Sequence, residues 1–152
     1  MDAAPARRYR IVVSEGAVPR VLVADDHQRV LERVVAMLDG EFRIVGTAND
    51  GSQAVEAEAA LHPDVLVLDV CMPVMGGLEA AARIRVRGSH AVVVCMTAFS
   101  EADLLDAAWN AGVSAYVAKI SLAEDLKPAI RAALEGRRFV SRAIVPAQRT
   151  LA

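Results

Sequence analysis

The sequence predicts one α/β domain, a doubly wound parallel sheet of five strands with five helices. Three observations carry that prediction. Five short apolar runs alternate with five segments of helical apolar spacing, the pattern of a parallel sheet covered on both faces. The runs Val65–Leu68 and Val92–Met96 are almost continuously apolar and rich in Val, as strands buried on both faces are. Four of the five runs stop abruptly at a polar residue that could work at one edge of the sheet: Asp25-Asp26, Asp69, Thr97 and Lys119.

In chain order, residues 1–18 mix Ala, Pro, Arg and Ser around one short apolar patch, Ile11-Val12-Val13, and are expected to form a tail. Val21–Ala24 is the first strand. Leu31, Val34, Val35 and Leu38 then fall at i, i+3, i+4 and i+7, one stripe of a helix that Gly40 stops. Phe42–Ala48 is a less apolar strand, expected nearer a sheet edge. Asp50 can cap the second helix, with Gln53 three residues on, and Ala54, Val55, Ala57, Ala59 and Leu61 make its apolar content.

The turn His62-Pro63-Asp64 precedes the third strand, Val65–Asp69. Pro73, Gly76 and Gly77 constrain the loop that follows, and the third helix runs from about Gly77 to Arg85 on Leu78, Ala81, Ala82 and Ile84. The fourth strand is Ala91–Met96. Ser100 and Asp103 are a cap pair for the fourth helix, which Gly112 ends. Leu104, Ala108 and Ala111 would face its core side, Leu105 and Trp109 another side. Ser114–Ala118 is the fifth strand. Ser121 with Glu124 reads as a capping box for the fifth helix. Pro128 lies inside that helix, where proline costs about 3 kcal/mol or forces a kink. The domain is expected to span 19–141, with 142–152 as a second tail.

The totals exclude some classes. A chain of 152 residues with 55% hydrophobic and 24% charged content is not disordered. A net charge of −2 points to neither a nucleic-acid nor a membrane partner. No apolar run approaches the roughly 18 residues of a membrane span. Cys71 and Cys95 have no metal-ligand spacing and are expected to be free thiols in a reducing, cytoplasmic setting.

In a parallel sheet the polar strand ends share one edge, where open α/β sheets bind ligands. Three carboxylates gathered there repel one another unless a cation joins them. A small site of hard oxygen ligands suits Mg²⁺. With Lys119 and the Thr97 hydroxyl it would make a receptor for a phosphoryl group, whose charge sits on peripheral oxygens. A strand-end Thr or Lys alone is ordinarily a solvated edge residue, and Asp25 alone could merely cap a helix; the complete set outweighs those readings.

Asp25-Asp26, Asp69 in Val-Leu-Asp-Val-Cys-Met-Pro, Thr97 in Met-Thr-Ala and Lys119 in Tyr-Val-Ala-Lys resemble the receiver domain of bacterial two-component response regulators, over roughly residues 20–141. The resemblance implies the flavodoxin-like strand order 2-1-3-4-5. It implies that Asp69 accepts a phosphoryl group from a sensor histidine kinase or phosphotransfer protein. Asp26, Asp69 and the Cys71 backbone carbonyl would bind Mg²⁺ directly, and Asp25 mainly through water. Thr97 and Lys119 would hold phosphoryl oxygens. Tyr116 matches the switch aromatic, and Leu105, Trp109 and Tyr116 would lie on the helix 4–strand 5–helix 5 face used for homodimers or protein targets. Such a chain is a signalling domain that assists its own phosphorylation and dephosphorylation, rather than an enzyme acting on a separate substrate.

Departures from the family pattern carry expectations of their own. Cys71 and Phe99 stand two residues after Asp69 and Thr97, beside the path of the hydrolytic water in this family, and neither orients water well. The phosphorylated state is therefore expected to be long-lived; a measured lifetime of seconds would contradict this. Ile120 replaces the proline common after the lysine, which affects the local loop rather than the lysine. Asp25-Asp26-His27 and Gly136-Arg137-Arg138-Phe139-Val140-Ser141 resemble receivers that precede a LuxR/NarL-type helix-turn-helix domain. Only Arg142–Ala152 follow, too few for that domain. The expectation is a receiver acting through protein partners, or one whose output domain is missing, with DNA contacted only through such a domain. A Mg²⁺-dependent phosphatase with an aspartyl nucleophile is the main rival, but its second Asp, two residues after the nucleophile, is replaced by Cys71.

Overall fold

The structure is a computed structural model and describes residues 17–99 and 102–144. Its elements are β1 (Arg20–Ala24), α1 (Gln28–Leu38), β2 (Arg43–Ala48), α2 (Gly51–Leu61), β3 (Val65–Asp69), α3 (Gly77–Val86), β4 (Val92–Thr97), α4 (Leu105–Asn110), β5 (Ala115–Ala118), a 3-10 turn (Lys119–Ser121), α5 (Leu122–Leu134) and β6 (Phe139–Val140). The sheet is parallel throughout, in the order β2-β1-β3-β4-β5-β6. The first five strands take the expected order. The sixth was not anticipated, because two residues are too few to show a strand period.

Alternation along each strand makes two cores. Val21, Val23, Val65, Val67, Val94, Met96 and Val117 point to the side covered by Leu31, Val34 and Leu38 of α1 and Leu126 and Ile130 of α5. Leu22, Leu66, Leu68, Val93, Cys95 and Tyr116 point to the side covered by Ala54 of α2, Ala80, Ala81 and Ile84 of α3 and Ala108 of α4. Small residues on α2, α3 and α4 let those helices sit close to the sheet. Strand β3, at the centre, is buried along its whole length, so the position of Asp69 is fixed by packing on both faces.

Several local expectations are corrected. Leu104 is 40% exposed rather than part of the core; α4 begins at Leu105, so Leu104 lies outside the helical repeat that would have turned it inward. The proposed Ser100–Asp103 cap lies partly outside the described residues. Ser121 does not cap α5. The preceding 3-10 turn leaves it at φ −121°, ψ 27°, away from the extended cap conformation, and its hydroxyl donates instead to Asp125 Oδ2 at 2.8 Å. Asp50 does cap α2, accepting the Gln53 N–H at 2.8 Å, while Gln53 Oε1 accepts the Asn49 N–H at 2.9 Å. Pro128 is accommodated inside α5 because it lies on the exposed side, where the carbonyl it leaves unbonded can reach water. Ile144, assigned to the second tail, is only 7% exposed and packs into the Tyr116 side of the core.

Candidate functional site

The strand ends do converge. Asp69 closes β3 in register with Met96, and Thr97 closes β4 in register with Ala118, the residue before Lys119. Lys119 Nζ therefore stands 2.8 Å from Asp25 Oδ2 and 3.2 Å from Asp69 Oδ1. Asp25 is fully buried and Asp69 is 3% exposed, whereas the Asp26 side chain is 30% exposed.

Electrostatics follow from that crowding. Burial, reinforced by the neighbouring Asp25 carboxylate, pushes the Asp69 carboxyl up to about 6 against the pull of Lys119 and the Cys71 backbone N–H. Burial works to lower the Lys119 ammonium, but contacts with Asp25 and Asp69 outweigh it and hold the group above its usual value. Asp25 Oδ2 meets the Lys119 ammonium at 2.8 Å as an ion pair and has no other polar partner among the described residues. Three carboxylates, Asp25, Asp26 and Asp69, gather around this single ammonium, and the excess negative charge suits a further cation. One ligand atom each from Asp25, Asp26, His27 and Asp69 lie within 4.8 Å of one another. The donor set therefore fits a divalent ion.

The loop after Asp69 is held close to the strand. Gly77 donates its N–H to the Val70 carbonyl at 2.9 Å, and Gly51 donates to the Met75 carbonyl at 2.9 Å. A Cβ on Gly77 would overlap the Asp69 carbonyl oxygen, and one on Gly51 would overlap that of Met75. Both glycines are thus required by close backbone approach. Cys71 is exposed in this loop and Cys95 is buried in β4; both are free thiols.

Thr97 is 2% exposed, and its hydroxyl accepts the Phe99 N–H at 3.1 Å. Tyr116, expected on a surface, is 1% exposed. Burial raises its phenol above the ordinary value, partly offset by the nearby Thr97 hydroxyl. β6 pairs Val140 with Tyr116 at the edge of β5, and Tyr116 and Ile144 belong to the same buried cluster. Leu105 and Trp109 are half-buried. The Arg138 guanidinium lies 4.3 Å from the Trp109 ring centroid, so one face of that ring is already occupied within the chain.

Two contributors escaped the sequence reading. His27 was read only as part of the Asp25-Asp26-His27 run, although its adjacency to two carboxylates was the available signal. Ser141 is 1% exposed and its hydroxyl accepts the Ala118 N–H at 3.0 Å, tying the segment after α5 to the strand that delivers Lys119; one serine in a polar run gives no sign of this.

Comparisons with known proteins agree with this fold. The family model of the response regulator receiver domain matches residues 21–131. The transcriptional regulatory protein PdtaR of Mycobacterium tuberculosis is 39% identical over 130 residues, which are 84% of this chain and 63% of that protein. LiaR of Bacillus subtilis is 35% identical over 119 residues, 77% of this chain and 56% of that protein. The chain thus spans about 60% of the length of these curated relatives. A LuxR-family two-component response regulator from Aurantimonas sp. SI85-9A1 superposes with a TM-score of 0.80 at 32% identity, covering 84% of this chain and 93% of that one. CheY in the CheX-CheY-BeF3-Mg complex from Borrelia burgdorferi is more distant, with a TM-score of 0.64 and 25% identity over 68% of this chain and 80% of that one. Fold, sequence and the acidic strand-end cluster together establish that the chain belongs to the response regulator receiver domain family of two-component signalling.

Proposed function

We propose that Asp69 is the phosphoacceptor of a receiver that is charged by a histidine kinase or a phosphotransfer protein. The observation that carries this is the placing of the Asp69 carboxylate at the end of the central strand, 3.2 Å from Lys119 and beside a cluster able to hold a cation. At neutral pH a carboxyl shifted to about 6 is largely ionised yet poorly solvated, which favours attack on phosphorus. An Asp69 oxygen bonds to phosphorus as the bond to the donor's nitrogen or oxygen breaks, and the leaving group takes the electron pair.

Asp26 and Asp69, with the Cys71 carbonyl, would hold Mg²⁺, with Asp25 acting mainly through water; the ion would offset phosphoryl charge. The CheY complex contains BeF3 and Mg, which supports the same pairing here by similarity. Lys119 would contact one phosphoryl oxygen and Thr97 another. The reaction is a stoichiometric modification of the chain itself, and its setting is cytoplasmic. Among the described residues no helix is long and apolar enough to cross a membrane. Intact mass after incubation with acetyl phosphate and Mg²⁺ tests the reading: the wild type should gain one phosphoryl group and Asp69→Asn none. Continuous turnover of a small phosphate ester would favour the phosphatase alternative.

The output follows from Thr97 and Tyr116. A phosphoryl group offers Thr97 a charged partner, so its hydroxyl would leave the Phe99 N–H for a phosphoryl oxygen, and the packing of α4 and β5 around Tyr116 responds. A homodimer or a protein target would read that face, and a DNA-directed response would require a separate output domain. Trp109→Ala should weaken self-association or partner binding, measured by sedimentation with and without phosphorylation, while leaving phosphoryl gain at Asp69 intact. Loss of the Arg138 contact adds a stability cost of about 0.5–1 kcal/mol.

A further inference from the structure

We propose that His27 supplies a nitrogen ligand to the cation site beside Asp69, giving that site an affinity for imidazole-preferring first-row divalent cations that a purely oxygen-lined site would lack. The inference rests on the reading of Asp26 and Asp69 as cation ligands and adds a ligand to it.

His27 is the N-cap residue of α1, with an extended backbone at φ −95°, ψ 110°, yet its side chain makes no cap hydrogen bond. A capping side chain would turn toward the free N–H groups of the helix. This imidazole instead faces back, with Nδ1 3.4 Å from Asp25 Oδ1 and 3.4 Å from Asp26 Oδ1. Its own backbone N–H donates to Asp25 Oδ1 at 2.8 Å, which fixes the ring's starting point against the buried carboxylate.

The four candidate donor atoms lie within 4.8 Å of one another. Ligands on opposite sides of an ion are about 4.2 Å apart when each bond is about 2.1 Å, so a small contraction brings Asp26, His27 and Asp69 into coordination range, with Asp25 near enough to act through water. Asp25 is fully buried, and with Asp26 and Asp69 it sets three carboxylates around one ammonium, Lys119, an excess of negative charge that a divalent cation would offset.

The donor type decides which ion benefits. Mg²⁺ prefers oxygen and keeps its water, so an imidazole adds little to its binding. Co²⁺, Ni²⁺ and Zn²⁺ accept imidazole nitrogen more readily than Mg²⁺ or Mn²⁺, and Co²⁺ also outranks Mn²⁺ at nitrogen and oxygen sites in general. The diagnostic quantity is therefore not the preference of the wild type alone but how that preference changes when the ring is removed. The His27 side chain is 68% exposed, so replacing it leaves the core untouched.

The test is calorimetric titration of the unphosphorylated protein with Co²⁺ and, separately, with Mg²⁺, for the wild type, His27→Ala and His27→Gln. Both variants are expected to bind Co²⁺ about tenfold more weakly than the wild type and to keep Mg²⁺ affinity within about twofold. In the wild type, Co²⁺ should also shift the His27 ring protons by the large amounts that direct ligation produces. Equal Co²⁺ affinity in wild type and both variants, with Mg²⁺ still bound, overturns the role of His27 and leaves the oxygen ligands standing. If the wild type binds neither ion, the cation reading fails and this inference fails with it. A parallel loss of Mg²⁺ affinity in both variants also overturns it, because the imidazole would then be shaping the site rather than selecting the ion.

Discussion

In the absence of divalent cations, Asp69→Asn is expected to be more stable than the wild type at pH 7, by about 1–2 kcal/mol, and to accept no phosphoryl group. The carboxyl rises from 3.8 in the unfolded chain to about 6 in the folded one, driven by burial and then by Asp25. At about 1.4 kcal/mol for each pH unit the shift corresponds to about 3 kcal/mol, which solvent screening at the open side of the site reduces. Between the two values the folded state binds the extra proton, so wild-type stability falls as pH rises through this window and levels off above it. Asn carries no charge and escapes that loss. Glu41 acts in a different window: the hydrogen bond from Arg131 lowers its carboxyl, so its contribution is lost only as pH falls below the ordinary carboxylate range, equally in both proteins. Thermal melts at pH 4.5, 6 and 7.5 should therefore show the two proteins diverging as pH rises. Mg²⁺ should then stabilise the wild type more than the variant, because a cation offsets the charge that Asp69 cannot otherwise discharge. Parallel pH profiles for the two proteins would contradict the strained carboxylate and leave Asp69 without its chemical advantage.

The sequence was legible wherever one physical requirement acted over several consecutive residues. The runs Val21–Ala24, Val65–Leu68 and Val92–Met96 declare buried strands because nothing else calls for unbroken apolar chain. Once those strands are parallel, the gathering of Asp25, Asp69, Thr97 and Lys119 at one edge is a matter of topology, and the distances around Lys119 follow. Features set by a single residue or by a distant neighbour were not legible. β6 is two residues long and exists because β5 offers it an edge. Tyr116 has an amphipathic side chain that suits either a surface or a core, and the cluster that buries it includes Ile144, which the sequence assigns to a tail. Ser121 has the residue type of a helix cap but not the backbone, because the 3-10 turn before it changes the local geometry. Leu104 carries a core residue's hydrophobicity at a position the helix does not reach. In the site itself, residue types were legible and orientation was not. The sequence offers a histidine after two aspartates but cannot say whether the ring turns to the helix or to the carboxylates.

Gly77→Ala is expected to cost about 3 kcal/mol and to slow phosphoryl acceptance about 10²-fold, although residue 77 carries no reactive group. The added Cβ would fall on the carbonyl oxygen of Asp69 and would also stand 3.3 Å from Val70 Cα, both of them backbone atoms that no change of rotamer can move. Overpacking of this kind typically costs 1–3 kcal/mol when side chains can yield, so a main-chain obstacle belongs at or above the upper end of about that range. Relief requires α3 to withdraw from β3. That withdrawal breaks the hydrogen bond from the Gly77 N–H to the Val70 carbonyl at 2.9 Å and loosens the strand end that aims Asp69 at Lys119. A displacement of even 1 Å at the reacting carboxylate is enough to remove most of the rate that positioning contributes, about 10²-fold. The melting temperature should fall by about 10 °C. Gly76→Ala provides the graded comparison: its Cβ would stand 2.8 Å from the Val70 carbonyl oxygen, a milder encroachment one residue earlier in the loop, so a smaller loss of both stability and phosphoryl gain is expected. If Gly77→Ala melts with the wild type and takes up a phosphoryl group at the same rate, the loop is not what holds Asp69 in place, and the alignment of the carboxylate must come from the β3–β4 register alone.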